Sequence, residues 1–342
     1  MKKDIVVIGA SAGGIDALRA IVACLPANFP APIFVVVHTS PDSPGVLDLI
    51  LSRAGKLRAL AGKDNEPIED GRIYVAPPDH HLVLEPGTIC LTRGPKENRF
   101  RPAIDPLFRS AAQVYGPRVV GVILTGGLDD GTAGLWAVKQ LGGTAIVQDP
   151  AEALVDSMPR SAIKNVKVDY VVSLNEIPAL LERLVSTPVE KEGRYAVPED
   201  LNIEVDIAKE KPPVNSGIFK LGGPSTFACP ECHGVLLQLK DGDRTRFRCH
   251  TGHAYSVDNL LADLKESIGD SLWNAVRAIE EEVMLLNHMA SHGGNHGETA
   301  DIYRKKARQS QQRAEVVRQA ALAHEEVIEK PADELVDRSA AP

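Results

Sequence analysis

The chain has 342 residues, enough for about two domains with one sizeable hydrophobic core. A formal net charge of -8 argues against a general nucleic-acid binder, and five cysteines are too few for a disulfide scaffold. No run approaches about eighteen apolar residues and Met1-Lys2-Lys3-Asp4 leads directly into an apolar run, so neither a signal peptide nor a membrane span is expected and a soluble cytoplasmic protein is.

Ile5-Val6-Val7-Ile8 runs into Gly9-Ala10-Ser11-Ala12-Gly13-Gly14, and a helical pattern (Ile15, Leu18, Ile21, Val22) follows, giving strand, tight turn and helix. A dinucleotide-binding turn needs glycine at the central position, where Ser11 stands, and an acidic residue after the next strand, where Ile33-Phe34-Val35-Val36-Val37 ends in His38. A nucleophile elbow instead places a serine between small residues at the carboxyl end of a strand, which suits Ser11. On this stretch alone, Ser11 serves equally well as a cap of the first helix.

To about residue 185, β-rich runs alternate with helical patterns, which predicts an α/β fold with a doubly wound, mostly parallel sheet. The expected strands are Ile5–Ile8, Ile33–Val37, Leu57–Leu60, Ile73–Val75, Val119–Leu124, Thr144–Val147 and Tyr170–Val172, with a hairpin formed by Leu82–Leu84 and Ile89–Thr92. Ligands of such sheets bind beyond the strands' carboxyl ends. Ser11 follows the first strand, His38 the second, and Asp130 lies in Leu124-Thr125-Gly126-Gly127-Leu128-Asp129-Asp130-Gly131 after a later one. A nucleophile, a base and an orienting carboxylate at three strand ends favour a serine hydrolase, although the order Ser, His, Asp differs from that of α/β-hydrolases.

Those motifs, with Val36-Val37-His38, Tyr74-Val75-Ala76-Pro77-Pro78-Asp79-His80-His81-Leu82 and Ile104-Asp105-Pro106-Leu107-Phe108-Arg109-Ser110-Ala111-Ala112, resemble the catalytic domain of the chemotaxis receptor methylesterases (protein-glutamate methylesterases) over roughly residues 3–185. The resemblance implies that Ser11, His38 and Asp130 form the triad. It also implies hydrolysis of glutamate γ-methyl esters on a methylated chemoreceptor-type protein, with no cofactor for catalysis. Ala12 stands where the family often has a hydroxyl residue and Gly127 where it has methionine, and no receiver domain is expected ahead of the first strand. The Ala12 backbone N–H is the candidate oxyanion donor. Asp130 is expected to accept the Nδ1–H of His38 and leave Nε2 for Ser11, while Asp129 caps the following helix. Paired His80 and His81 read as loop-packing residues.

Residues 186–224, rich in proline, glycine and charge, read as a linker with one short strand at Leu201–Val205. Cys229-Pro230-Glu231-Cys232 and Cys249-His250-Thr251-Gly252-His253 are joined by a hairpin (Val235–Leu239, Thr245–Arg248), the pattern of a zinc-ribbon-like module over 225–256. Cys229, Cys232, Cys249 and His253 are the expected ligands of a structural zinc, with His233 and His250 as alternatives for the fourth. Such a module is expected to be separable, so that chelation leaves the catalytic domain active. Residues 257–330 read as two helices forming a hairpin or pairing with another chain, broken near Gly293, Gly294 and Gly297, where His288, His292 and His296 read as a solvated turn; the tail 331–342 reads as disordered.

Three functions are consistent with these features. The first is a serine hydrolase that demethylates glutamate γ-methyl esters, and by the same acyl chemistry deamidates glutamine. The second is a non-enzymatic chemosensory scaffold that docks through the ribbon and helices. The third, a nucleotide-binding oxidoreductase, lacks the glycine and the acidic strand end it needs.

Overall fold

The computed structural model describes residues 2–189, 195–241, 244–292 and 297–329. The chain forms two compact units, one ending at Leu260 and one starting at Leu261.

In the first unit, β1 (Ile5–Ala10), α1 (Gly14–Cys24), β2 (Ile33–Val37), α2 (Leu47–Ala54), β3 (Arg58–Ala61), β4 (Arg72–Val75), the hairpin β5 (His81–Glu85) and β6 (Thr88–Thr92), and α3 (Ile104–Tyr115) come first. They are followed by β7 (Val119–Ile123), α4 (Thr132–Gln140), β8 (Thr144–Gln148), α5 (Ser157–Asn165), β9 (Tyr170–Val172) and α6 (Ile177–Val185). Seven strands form one sheet in the order β3-β4-β2-β1-β7-β8-β9, and every neighbouring pair is parallel. Its central strands are apolar on both faces because helices cover both. Val6, Ile8 and Ala10 enter one apolar layer with Leu18, Ile21 and Leu51, while Ile5 and Val7 enter the other with Leu107, Phe108 and Leu135. That period-two division along β1 places α1, α2 and α6 on one side and α3 and α4 on the other.

The region expected as a linker instead holds α7 (Glu199–Ala208) and the short turn of helix α8 (Pro213–Ser216). The expected strand at Leu201–Val205 is therefore helix. Apolar residues at 201, 203, 205 and 207 fit an alternating strand, but they also give two i,i+4 pairs on different helix faces. Leu201 and Val205 pack into the layer around α3, whereas Ile203 and Ile207 pack with Ile218, Leu237 and Leu239.

Beyond it lies an antiparallel sheet of four strands in sequence order: β10 (Gly222–Ala228), β11 (Val235–Asp241), β12 (Arg244–Cys249) and β13 (Ala254–Ser256). The expected two-strand hairpin is its centre.

The second unit holds most of α9 (Val257–His292) and all of α10 (Glu298–Glu329), which fold back on each other within the chain. The Trp273 indole donates to Glu325 at 2.8 Å, Arg313 donates to Glu282 at 2.9 Å, and the His324 ring donates to the Lys265 carbonyl at 2.7 Å. Ala300, Ala307, Ala314 and Ala321 are buried at every seventh position, a small-residue seam that lets two helices approach closely. His296, the His292 side chain and the tail lie outside the described residues.

Candidate active site

β1 lies between β2 and β7, with Ala10 in register with Val37 and Gly9 with Ile123, so their three carboxyl ends are adjacent. Ser11 leaves β1 with its N–H donating to Thr125 O at 2.9 Å, and the His38 N–H donates to Ala10 O at 3.3 Å. Gly13 then turns the chain at φ 75°, where a β-carbon would meet Leu154 and Thr125. The Ser11 side chain does not cap α1, whose N-cap is Gly13 without a side-chain bond. Gly126 packs so close that a β-carbon there would lie 2.8 Å from Ser11 Cβ and nearer still to Met158.

Ser11 Oγ lies 3.1 Å from His38 Nδ1, and His38 Nε2 lies 2.8 Å from Asp130 Oδ2. All three expected residues converge, but the ring nitrogens are exchanged relative to the sequence-based expectation. The carboxylate can only accept, so Nε2 carries the proton and Nδ1 is the acceptor for the serine hydroxyl. The phenyl ring of Phe100 lies parallel to the imidazole, with centroids 3.7 Å apart and planes 3° apart, which restrains the ring against rotation. The Ala12 N–H has no acceptor among the described residues and the residue is exposed, which leaves that donor available to a developing oxyanion.

Asp130 is 1 % exposed. Burial pushes its carboxyl up, but the hydrogen bond and charge of His38, with N–H donors from Ile104 and Asn98, outweigh it and hold Asp130 below the ordinary aspartate range. Its neighbour Asp105 goes the other way, to about 7, because it is buried and faces the charge of Asp130. The Asn98 amide nitrogen lies between them, 2.8 Å from Asp130 Oδ1 and 3.0 Å from Asp105 Oδ2. No motif or spacing marked Asn98 or Phe100, since their roles arise only when the segment 97–103 folds over the strand ends.

Asp129 does not cap α4. Its carboxylate accepts from Ser256 Oγ at 2.6 Å and Asn259 Nδ2 at 2.5 Å, and burial raises its pKa to about 6. His80 and His81 have the structural role expected: His80 Nδ1 lies 2.9 Å from Pro78 O, and buried His81 bridges Pro95 O and the Ala103 N–H.

A second cluster forms in the four-stranded sheet. Cys229, Cys232, Cys249 and His253 bring their ligand atoms within 4.8 Å of one another, an arrangement able to hold a metal ion. Cys232 and Cys249 sulfurs are 3.5 Å apart, and His253 Nδ1 lies 3.6 Å from Cys229 and 3.5 Å from Cys249.

Residues 6–181 match the CheB methylesterase family. The chain is 40% identical over 185 residues to a protein-glutamate methylesterase/protein-glutamine glutaminase of Thermotoga maritima, covering 53% of this chain and 54% of that one. It is 41% identical over 181 residues to one of Anaeromyxobacter dehalogenans, covering 53% of each. A Leptospira interrogans protein named for the same two activities is 42% identical over 192 residues, which are 56% of this chain and 100% of that protein. The crystal structure of the Thermotoga maritima CheB methylesterase catalytic domain superposes with a TM-score of 0.52 at 39% identity, over 54% of this chain and all of that one.

Proposed function

Because the chain belongs to the CheB methylesterase family, we propose that Ser11, His38 and Asp130 hydrolyse glutamate γ-methyl esters on a methylated chemoreceptor-type protein. The observation that carries this reading is the continuous hydrogen-bonded line from Ser11 Oγ through the imidazole to Asp130. His38 Nδ1 takes the serine proton as Oγ attacks the ester carbonyl, while Nε2–H remains donated to Asp130 and the imidazolium is stabilised there. The tetrahedral oxyanion is met by the Ala12 N–H. Nδ1–H then protonates the departing methoxide, methanol leaves, and a water activated by the same nitrogen releases the glutamate carboxylate and restores Ser11. Ammonia leaving in place of methanol gives glutamine deamidation at the same site. Incubation with a methylated receptor fragment tests the reading. Methanol release lost in Ser11→Ala supports it, and release that persists in that variant overturns it.

We read residues 1–185 as the catalytic domain and 225–256 as a zinc-ribbon-like module with Cys229, Cys232, Cys249 and His253 as ligands. Zinc bonds of about 2.3 Å to sulfur and about 2.0 Å to nitrogen give tetrahedral edges of about 3.5 to 3.8 Å, which the ligand separations of 3.5 and 3.6 Å fit. Four protein ligands close the shell, so the ion would hold the fold and leave no position for substrate. Self-association through the helical hairpin is supported by exposed Ile268, Met284, Leu285 and Val316. No helix among the described residues is long and apolar enough to cross a membrane.

A further inference from the structure

The four-stranded sheet is bonded to the segment that supports Asp130. β13 begins immediately after His253 and is the edge strand of its sheet. It runs beside residues 96–98: the Asn98 N–H donates to Ala254 O at 2.8 Å, the Ala254 N–H to Lys96 O at 3.3 Å, and the Ser256 N–H to Asn98 Oδ1 at 2.9 Å. Asn98 is 5% exposed, and its amide is held at both ends. The oxygen is fixed by β13, and the nitrogen serves Asp130 and Asp105 together. Adjacent Glu97 repeats the link, its carboxylate lying between Arg109 of α3 and Arg248 of β12. Arg248 directly precedes Cys249, and its guanidinium also donates to Gly252 O at 2.8 Å, inside the loop between Cys249 and His253.

From this geometry we infer that zinc held by Cys229, Cys232, Cys249 and His253 fixes the position of Asp130 through β13 and Asn98, so that Ser11 reaches its full reactivity only in the metal-bound chain. This rests on the triad and the ligand set proposed above, and it replaces the separable module expected from the sequence. Asn98 is a positioning residue, acting on the reaction only through Asp130. Two ligands, Cys249 and His253, close the loop that feeds β13. Without the ion, three thiols and an imidazole have no common partner, and the loop His250-Thr251-Gly252-His253 carries no apolar side chain to hold it closed. Release of β13 removes the donor on Asn98 Oδ1 and frees the amide to rotate. Asp130 and Asp105 then face each other without their shared N–H donor, the carboxylate is no longer held in line with Nε2–H, and the proton acceptor at Nδ1 weakens.

The test uses the full chain and needs no receptor. An alkyl fluorophosphonate reacts with a triad-activated serine, and its rate of attachment to Ser11 is followed by peptide mass spectrometry with zinc bound, after chelation, and after zinc is returned. Removal should slow attachment by about ten- to a hundred-fold, and return should restore it. Zinc-loaded Asn98→Ala should show a similar loss with no further loss on chelation. That variant is read on folded, metal-bound protein, so any wider unfolding on chelation does not decide the outcome. If Asn98→Ala does not fold, Asn98→Gly, which removes the same amide but suits the positive φ of 49° at this position, replaces it with the same expectation. An equal rate with and without zinc, or losses from chelation and from the variant that multiply, overturns the coupling while leaving the triad standing. A zinc-loaded chain labelled at Ser11 no faster than at other serines overturns the triad reading, and the coupling with it.

Discussion

Asp130 acts through the donors it collects, and the exchanged ring nitrogens change what each substitution means. With Nε2–H on the carboxylate, an amide at 130 can present its own N–H to Nε2 and drive the proton to Nδ1, where it blocks the serine. Asp130→Asn should therefore lower kcat by on the order of 10³- to 10⁴-fold, with Ser11→Ala at least as severe, measured as methanol release. Asp129, bonded to Ser256 and Asn259, should behave differently, and its signature is pH-dependent stability. Its carboxyl titrates at about 6 in the folded chain against about 3.9 unfolded, so the folded state holds more protons between those values. Stability from this group is thus present below about pH 4 and is lost as pH rises through about 6. Asp129→Asn should gain on the wild type across that window by on the order of 2 kcal/mol, read from urea unfolding at about pH 4.5 and about pH 7. An offset between the two proteins that is the same at both pH values would show that Asp129 titrates normally. Ser11, His38 and Asp130 were legible because each follows a strand and strand ends converge. Which imidazole nitrogen faces which partner was not, since it depends on how the folded chain aims a ring that lies against Phe100, sixty-two residues away in sequence.

Elements that bury both faces state their type plainly when the sheet is parallel. The runs at 5–8, 33–37, 119–124 and 144–147 are short stretches rich in β-branched residues, and each is a strand within a residue or two at its ends. α7 does not show its type in the sequence because it also is buried on two sides, and two-sided burial erases the polar face that normally identifies a helix. Its one buried charge explains why it sits there. Glu204 accepts both Arg246 guanidinium nitrogens at 2.8 and 2.9 Å and Arg248 at 2.9 Å, with Arg109 at 3.9 Å. Burial pushes the Glu204 carboxyl up, but these three cations outweigh it and hold it well below the ordinary range. Its contribution is present above about pH 4.3, the unfolded value, and is lost as pH falls through the folded one. Glu204→Gln would leave buried arginines short of their counter-charge and should cost about 3–5 kcal/mol, measured by denaturant unfolding. A loss below about 1 kcal/mol, the scale of an exposed pair, would mean that water reaches this network.

At the scale of the whole molecule, the family match ends at residue 181 and the solved Thermotoga maritima catalytic domain is covered in full by 54% of this chain, so the matched fold does not include the four-stranded sheet. Here, though, the sheet supplies Arg248 to Glu97, Ser256 to Asn98 and Asp129, and Arg246 to Glu204. The unit that ends at Leu260 contains all of these partners, including fully buried Asn259. Two shortened chains therefore separate what the fold requires from what this particular chain has come to depend on. A chain ending at Leu260 should keep kcat within about two-fold and retain its zinc, because none of the buried polar bonds around Asp130 is cut. One ending at Thr187 should still form the parallel sheet, but it takes from Glu97, Asn98 and Asp129 the partners that Arg248, Ser256 and Asn259 supply, and it uncovers the α3 face that Leu201 and Val205 bury. It should unfold at several kcal/mol lower stability and turn over methyl ester about ten-fold or more slowly. If the shorter chain matched the longer one in kcat, the sheet would be a passenger on a self-sufficient esterase; if both fell together, the dependence would lie instead in the helices beyond Leu260.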